Sequence, residues 1–246
     1  MLGLATLPLV GFVFLAFTVE AALGFGATIV TVTLGALVAP VEVILPAFVP
    51  VNVVLSLRLV LKFQGQVRWD LLLKRVLPLM AIGMPLGIFA FAELDSALLV
   101  KVFGGFVIAL ALLELLVRRA STPPARGGLG GPFPVALLVL GGVVHGAFGT
   151  GGPMVVYVCG RLLPLKGEFR ATLSALWLVL NSILVVSHVA GGRWTSETPL
   201  LTAALVPALL VGLVLGQALH DRIPADRFRR VVFVMLALAG AVLVLR

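Results

Sequence analysis

The sequence has one cysteine, Cys159, and so cannot form an intramolecular disulfide or a cysteine-rich metal site. Charge is also scarce, because Asp, Glu, Lys and Arg together make up 11% of its 246 residues, whereas 61% are hydrophobic. Soluble globular domains carry about 25% charged residues, and this composition therefore excludes a soluble globule. The chain is expected to lie within a membrane.

Long apolar segments make up most of the sequence. Stretches of at least about 18 residues with few charges recur along nearly the whole sequence, whereas a barrel would show ten-residue alternation. The expected fold class is an all-α polytopic protein of the cytoplasmic (inner) membrane. The N-terminus has neither a basic region nor a clear cleavage site, so its first segment is expected to be retained.

Two apolar segments are too long to be single straight helices. They run from Leu4 to about Gly35 and from Phe133 to about Gly160. Straight helices of these lengths would be about 48 and 42 Å long, whereas the hydrocarbon core of a membrane is about 30 Å thick. Both contain weak helix formers, at Gly24-Phe25-Gly26 and at Gly149-Thr150-Gly151-Gly152-Pro153, and are predicted to break there. Backbone freed inside a membrane must line a cavity, and paired breaks point to a transporter's substrate site.

Each break opens one of two similar halves. Three further apolar segments follow in each half, at about 41–61, 71–92 and 97–117, and at about 171–190, 199–219 and 228–245. At an offset of 125, Gly24, Gly26 and Arg68-Trp69 align with Gly149, Gly151 and Arg193-Trp194. At an offset of 129, Pro78, Gly83 and Gly87 align with Pro207, Gly212 and Gly216. The sequence therefore predicts a duplication, with membrane repeats at 1–117 and 133–246 and a cytoplasmic loop at 118–132.

Lysine and arginine collect in cytoplasmic loops, so their distribution tests the topology. If each broken segment crosses once, the two sides are almost equally basic. If each enters and returns, as two helices or as a helix plus a re-entrant arm, one side holds only Lys101, Arg193 and Arg246. The other then holds Lys62, Arg68, Lys74, Arg75, Arg118, Arg119, Arg126, Arg161, Lys166, Arg170, Arg222, Arg227, Arg229 and Arg230. This imbalance predicts inverted repeats with both termini on the non-cytoplasmic side.

Glu20 and His145 are ionisable residues inside apolar segments, where charge is costly and usually functional. Each lies four residues before the first glycine of its break, so the two positions are equivalent. Both are predicted as proton-coupling or gating residues, because a carboxylate or an imidazole there could exchange a proton during transport. In the structural alternative, Glu20 is a buried acid held by hydrogen bonds and His145 donates a hydrogen bond between helices.

The breaks are predicted to bind an anion. A helix starting at Gly26 or Pro153 presents unpaired N–H groups and the positive end of its dipole. The predicted substrate-binding residues are Gly24, Phe25, Gly26, Thr28, Asn52, Gly149, Thr150, Gly151, Gly152, Pro153 and Asn181, with Ser56 and Arg58 as further anion contacts. In the alternative interpretation the glycines allow close packing, the polar side chains join helices, and Arg58 extends to the membrane surface.

In these motifs the chain resembles the sulfite exporter TauE/SafE family, over nearly its whole length. The similarity is carried by Glu20-Ala21-Ala22-Leu23-Gly24-Phe25-Gly26-Ala27-Thr28, by Val49-Pro50-Val51-Asn52 and by His145-Gly146-Ala147-Phe148-Gly149-Thr150-Gly151-Gly152-Pro153. Many members have three consecutive glycines and a proline in the first half, where this chain has Gly26-Ala27-Thr28. The resemblance implies transport of sulfur-containing anions such as sulfite, sulfoacetate or other sulfonates, generally outward.

The expected function is secondary transport, with export of a small sulfur-containing anion by alternating access about the two breaks. An uptake permease for another small organic anion and a non-transporting membrane scaffold are the alternatives. No catalytic site, metal site or cofactor is expected, because the sequence has no ligand cluster and no activated nucleophile. The expected partners are the anion and membrane lipid, without nucleic acid. The oligomeric state is left open, with a homodimer as one option.

Overall fold

The computed structural model describes residues 2–23, 26–116, 131–163, 165–222 and 225–245, and all regular secondary structure in these ranges is helical. The helices are α1 (Leu2–Leu23), α2 (Ala27–Gly35), α3 (Val41–Phe63), α4 (Trp69–Leu71), α5 (Leu77–Glu93), α6 (Ser96–Leu116), α7 (Pro132–Phe148), α8 (Gly152–Leu162), α9 (Lys166–Ala190), α10 (Thr198–Arg222) and α11 (Ala225–Leu245). A π-helical turn, Leu72–Val76, joins α4 to α5. The expected all-α class is confirmed for these residues.

Four helical spans are long and apolar enough to cross a membrane. They are Val41–Gln66, Trp69–Glu93, Gly167–Ala190 and Thr198–Leu219. Shorter apolar helices occupy Thr6–Ala21, Ala97–Leu113, Pro132–Phe148 and Arg230–Leu245. The six predicted segments that follow the breaks therefore coincide with helices, apart from small differences at their ends.

Both long apolar segments break at their glycines, as predicted. In the first, α1 ends at Leu23 and α2 begins at Ala27; in the second, α7 ends at Phe148 and α8 begins at Gly152. Gly26 has a φ of 110° and Gly149 a φ of 63°, left-handed conformations that residues with a side chain rarely adopt. Glycine thus lets the backbone leave the helix at these two points.

The second part of each broken segment is short. α2 has nine residues and α8 has eleven, which corresponds to about 14 and 17 Å, well short of the roughly 30 Å of hydrocarbon. Neither helix can cross a bilayer alone. Each broken segment is therefore a longer helix followed by a short arm, and not two full crossings.

The helices form two compact units, each with members from both halves of the sequence. The first unit consists of the described residues among 1–48, 94–121 and 193–246, and within it α1 packs against α10 and α6 against α11. A Cβ atom on Gly212 would lie 2.8 Å from the carbonyl oxygen of Phe14, and one on Gly216 would overlap the carbonyl oxygen of Thr18. These glycines therefore let the α10 backbone approach α1 closely.

The second unit consists of the described residues among 49–93 and 122–192, and in it α7 packs against α5 and α8. A Cβ atom on Gly83 or Gly87 of α5 would overlap the carbonyl oxygen of Val139 or Val143. These two carbonyls lie at the offset of 125 from the pair used in the first unit. The aligned glycines thus make the same kind of backbone contact at matching positions in each unit.

Two basic loops meet at one end of the second unit. The backbone N–H of Arg68 donates a hydrogen bond to the Thr172 hydroxyl at 3.0 Å. The Arg68 guanidinium lies 3.6 Å from the Glu168 carboxylate. The Arg170 guanidinium lies 5.8 Å from the Phe63 ring. The end of α3 and the start of α9 are therefore on the same side of this unit.

Candidate functional site

The second break is a buried stretch of non-helical backbone, residues 149–151, between α7 and α8. The N–H of Gly149 donates to the carbonyl of His145 at 2.7 Å and closes α7. The N–H of Val155 donates to the carbonyl of Gly151 at 3.4 Å and opens α8. Irregular backbone in an apolar segment is tolerated only within protein or beside a water-filled cavity.

The N-terminus of α8 offers donors to a ligand. The first N–H groups of a helix have no intrahelical partner, which here concerns Gly152 and Met154, whereas Pro153 has no N–H. The residue before the helix, Gly151, supplies no side-chain cap. Thr150 is buried immediately before it. Unpaired donors at the positive end of a helix dipole favour an anion.

Gly151, the last residue of the break, and Gly152, the first residue of α8, have different surroundings. A Cβ atom on Gly151 would overlap the carbonyl oxygen of Gly141 and lie 2.8 Å from Cε of Met80. A Cβ atom on Gly152 would have no neighbour within 4 Å. Gly151 is therefore closely packed, and its predicted substrate contact stays a prediction, while Gly152 borders open space.

His145 lies in the last turn of α7 and is 1% exposed. Neither of its ring nitrogens has a hydrogen-bond partner among the residues that the structure describes. Its ring instead stacks on Trp177 of α9, with centroids 5.3 Å apart and planes inclined by 18°. The interhelical contact is thus a ring stack, and both nitrogens are left without the partner that buried polar groups normally have.

The predicted polar residues of α3 and α9 are also buried. Asn52 and Ser56 are each 6% exposed and Asn181 is 3% exposed. Asn181 lies one turn after Trp177 and so on the same face of α9. Within the described ranges its Oδ1 atom has no hydrogen-bond partner. Arg58, in contrast, is exposed.

The first break has different chemistry. A carboxylate oxygen of Glu20 accepts a hydrogen bond of 2.9 Å from the backbone N–H of Ala27, the first residue of α2. The N-terminus of α2 is therefore already capped by an acidic side chain. Gly26 and Thr28 on either side are half-buried. Gly24 and Phe25 lie outside the described residues.

The predicted site residues thus divide between the units. Glu20, Gly26 and Thr28 belong to the first unit, and the remaining described ones belong to the second. Trp177 was not predicted as a site residue, since it lies within an apolar segment and no spacing relates it to His145. In the part of the chain that the structure describes, no three His, Cys, Asp or Glu side chains come together as a metal site would require.

Comparisons with known proteins match this sequence to one family. The sequence model described as "Sulfite exporter TauE/SafE" matches residues 9–243. The chain is 31% identical over 176 residues to the "Probable inner membrane transporter protein TsaS" of Comamonas testosteroni, covering 71% of this chain and 72% of that protein. It is 25% identical over 170 residues to the "Probable sulfite/organosulfonate exporter TauE" of Cupriavidus necator, covering 69% and 64% respectively. No solved structure matches.

Proposed function

Because the chain belongs to the sulfite exporter TauE/SafE family of membrane transporters, we propose that it exports a small sulfur-containing anion across the cytoplasmic membrane by alternating access. The proposed substrates are sulfite, sulfoacetate or another organosulfonate. The name of the C. necator relative supports this class, and the name of the C. testosteroni relative supports an inner-membrane transporter. No nucleotide-binding motif is present in the sequence, so the proton gradient or the membrane potential is the proposed driving force.

One observation carries the proposal: the second break places the uncapped N-terminus of α8 and the unpartnered imidazole of His145 in a buried part of the second unit. Backbone N–H groups bind anions without a fixed positive charge, which suits a substrate that must also be released. The proposed substrate contacts are Gly149, Thr150, Gly152, Pro153 and Asn181. The contacts expected at Gly24, Phe25, Gly26, Thr28, Asn52, Ser56, Arg58 and Gly151 stay predictions.

We further propose two inverted repeats, 1–117 and 133–246, joined by the cytoplasmic loop at 118–132. Three observations support this arrangement. The glycine pairs of α5 and α10 approach matching carbonyls. The short arms α2 and α8 are too short to cross. The basic loops around Arg68 and Glu168 lie together. In this arrangement both termini are non-cytoplasmic.

A scaffold without transport is the second candidate, because Gly151 packs tightly on Gly141, as a purely structural glycine would. An uptake permease differs from an exporter only in direction. Binding separates a transporter from a scaffold, and flux in oriented vesicles separates export from uptake.

The decisive experiment combines binding and flux with purified protein in detergent and in proteoliposomes. Thermal unfolding is measured with sulfite, thiosulfate, sulfoacetate, taurine and carboxylate analogues. A ligand at 100 times its Kd stabilises the folded state by about 2.7 kcal/mol. We expect sulfite or a sulfonate to raise the Tm and to be transported. A chain whose Tm responds to none of these anions and that carries none of them would be a scaffold.

A further inference from the structure

We propose that the imidazole of His145, held in place by Trp177, donates a hydrogen bond to the transported anion at the second break. This inference rests on the proposed function and deepens it: it identifies a ligand-binding group and assigns Trp177 as the residue that positions it. The chemical class of the ligand is an anion with oxygen acceptors, which includes sulfite and the sulfonates.

The imidazole of His145 has no hydrogen-bond partner among the described residues. His145 is 1% exposed and belongs to the last turn of α7, next to the break, yet both nitrogens lack hydrogen-bond partners among the described residues. A neutral imidazole carries one N–H donor, and its protonated form carries two. A buried side chain with unused donor capacity beside a break in the helix is what a ligand site requires before the ligand arrives.

Trp177 holds the imidazole ring in place. Stacking on Trp177 fixes the plane of the imidazole but occupies its face, so that both nitrogens on the ring edge stay available. The adjacent Gly146 is packed against the backbone of α5, where a Cβ atom would overlap the carbonyl oxygen of Met84. α7 is therefore held by α5, and the His145 side chain is held by α9. An oriented donor of this kind binds an anion with little loss of conformational freedom.

The first break has a carboxylate where the second has the imidazole. Glu20 is equivalent to His145 at the offset of 125, and its carboxylate accepts the N–H of Ala27. An anion at the start of α2 would meet a like charge whenever Glu20 is ionised. At the second break an imidazole replaces the carboxylate, in the last turn of a helix, where the dipole also favours a positive charge. The anion is therefore bound at the second break.

The test uses Trp177 as a probe. The chain has three tryptophans, so Trp69→Phe with Trp194→Phe leaves Trp177 as the single emitter. Sulfite and sulfoacetate are titrated while Trp177 emission is recorded, and their Kd values are measured independently by thermal shift. We expect a saturable change in emission with the same Kd. His145→Phe keeps a ring for the stack but removes both nitrogens, and should weaken binding at least tenfold.

Two variants of Trp177 test its positioning role, and since Trp177 is only half-buried both are expected to fold. Trp177→Phe preserves an aromatic stack, and its Kd should stay within threefold of the wild-type value. Trp177→Leu removes the stack, and its Kd should rise about tenfold. Equal affinity in these two variants, or unchanged affinity in His145→Phe, would overturn the inference while leaving anion transport intact. If the wild-type chain binds neither anion, the proposed function itself fails.

Discussion

Glu20 and Ala27 are joined across the first break by a hydrogen bond of 2.9 Å from the backbone N–H to the carboxylate. The equivalent residues at the second break, His145 and Gly152, form no such pair, because His145 has no hydrogen-bond partner in the described ranges. The two breaks therefore share a backbone design but differ in charge. The start of α2 carries its own acid, whereas the start of α8 has no side-chain cap.

This difference makes Glu20 the first residue to test for proton coupling. Glu20→Gln keeps an oxygen acceptor for the Ala27 N–H but removes the titratable charge. For one coupled proton, a gradient of one pH unit changes the accumulation ratio about tenfold. We expect Glu20→Gln to lose this dependence in proteoliposomes while its Tm changes little. Glu93→Gln, at an exposed acid, is the control and should respond as wild type. Coupling that survives in Glu20→Gln would leave the carboxylate as a helix cap only.

Gly151 is the residue whose replacement should do most damage at the second break. Its Cβ position overlaps the Gly141 carbonyl oxygen, and so Gly151→Ala should lower the free energy of unfolding by about 1–3 kcal/mol. Gly151→Leu should abolish transport although the protein still inserts into the membrane.

Gly152 provides the matched comparison for stability, because its Cβ position is open and Gly152→Ala should leave the Tm nearly unchanged. Thermal unfolding measures both alanine variants, and flux in vesicles measures Gly151→Leu. Normal flux in that variant would contradict the assignment of the second break as the substrate site.

The glycines of α5 and α10 allow a test of the duplication. Gly87 and Gly216 each place a Cβ position on a carbonyl oxygen of the partner helix within its own unit. Gly87→Ala and Gly216→Ala should therefore each destabilise the protein by about 1–3 kcal/mol. Gly105→Ala, with no neighbour within 4 Å, is the control and should be neutral or slightly stabilising. A loss confined to one of the two variants would show that the aligned positions are not equivalent.

The helices and their breaks were predictable because they follow from local properties. Apolar length defines the segments, and glycine with proline defines where the two long ones end, as at Gly26 and Gly149. The alignment of Gly83 with Gly212 indicated a duplication, and the structure adds that both glycines pack against a helix backbone. These features depend on residues close together in sequence, or on a pattern that the chain repeats.

The chemistry of the breaks depends on partners that spacing does not reveal. Trp177 of α9 meets His145 of α7 through a ring stack, and nothing in either segment marks the pair. The bond between Glu20 and Ala27 joins the last turn of α1 to the first residue of α2, which are separate helices in the folded chain. Gly151 was predicted as a substrate contact, and its fit against Gly141 becomes visible only once α7 and α8 are folded together.

The membrane orientation can be tested by cysteine labelling, because the natural Cys159 is buried and can be replaced by alanine. Gly65→Cys lies in the exposed turn after α3, and Ser196→Cys lies in the exposed loop between α9 and α10. The basic loops around Arg68 predict that Gly65→Cys reacts with an impermeant maleimide only from the cytoplasmic side. Ser196→Cys should react only from the opposite side, because α9 is long enough to cross.

Permeabilised membranes provide the control for this experiment, since both cysteines should then react fully. Labelling of both sites from the same side would exclude α9 as a single crossing and, with it, the inverted repeat. If Gly65→Cys reacted only from the non-cytoplasmic side and Ser196→Cys only from the cytoplasmic side, the inverted repeat would still hold, but both termini would lie in the cytoplasm. The charge distribution argues against that exchange, because it would put fourteen of the seventeen basic residues other than Arg58 on the non-cytoplasmic side.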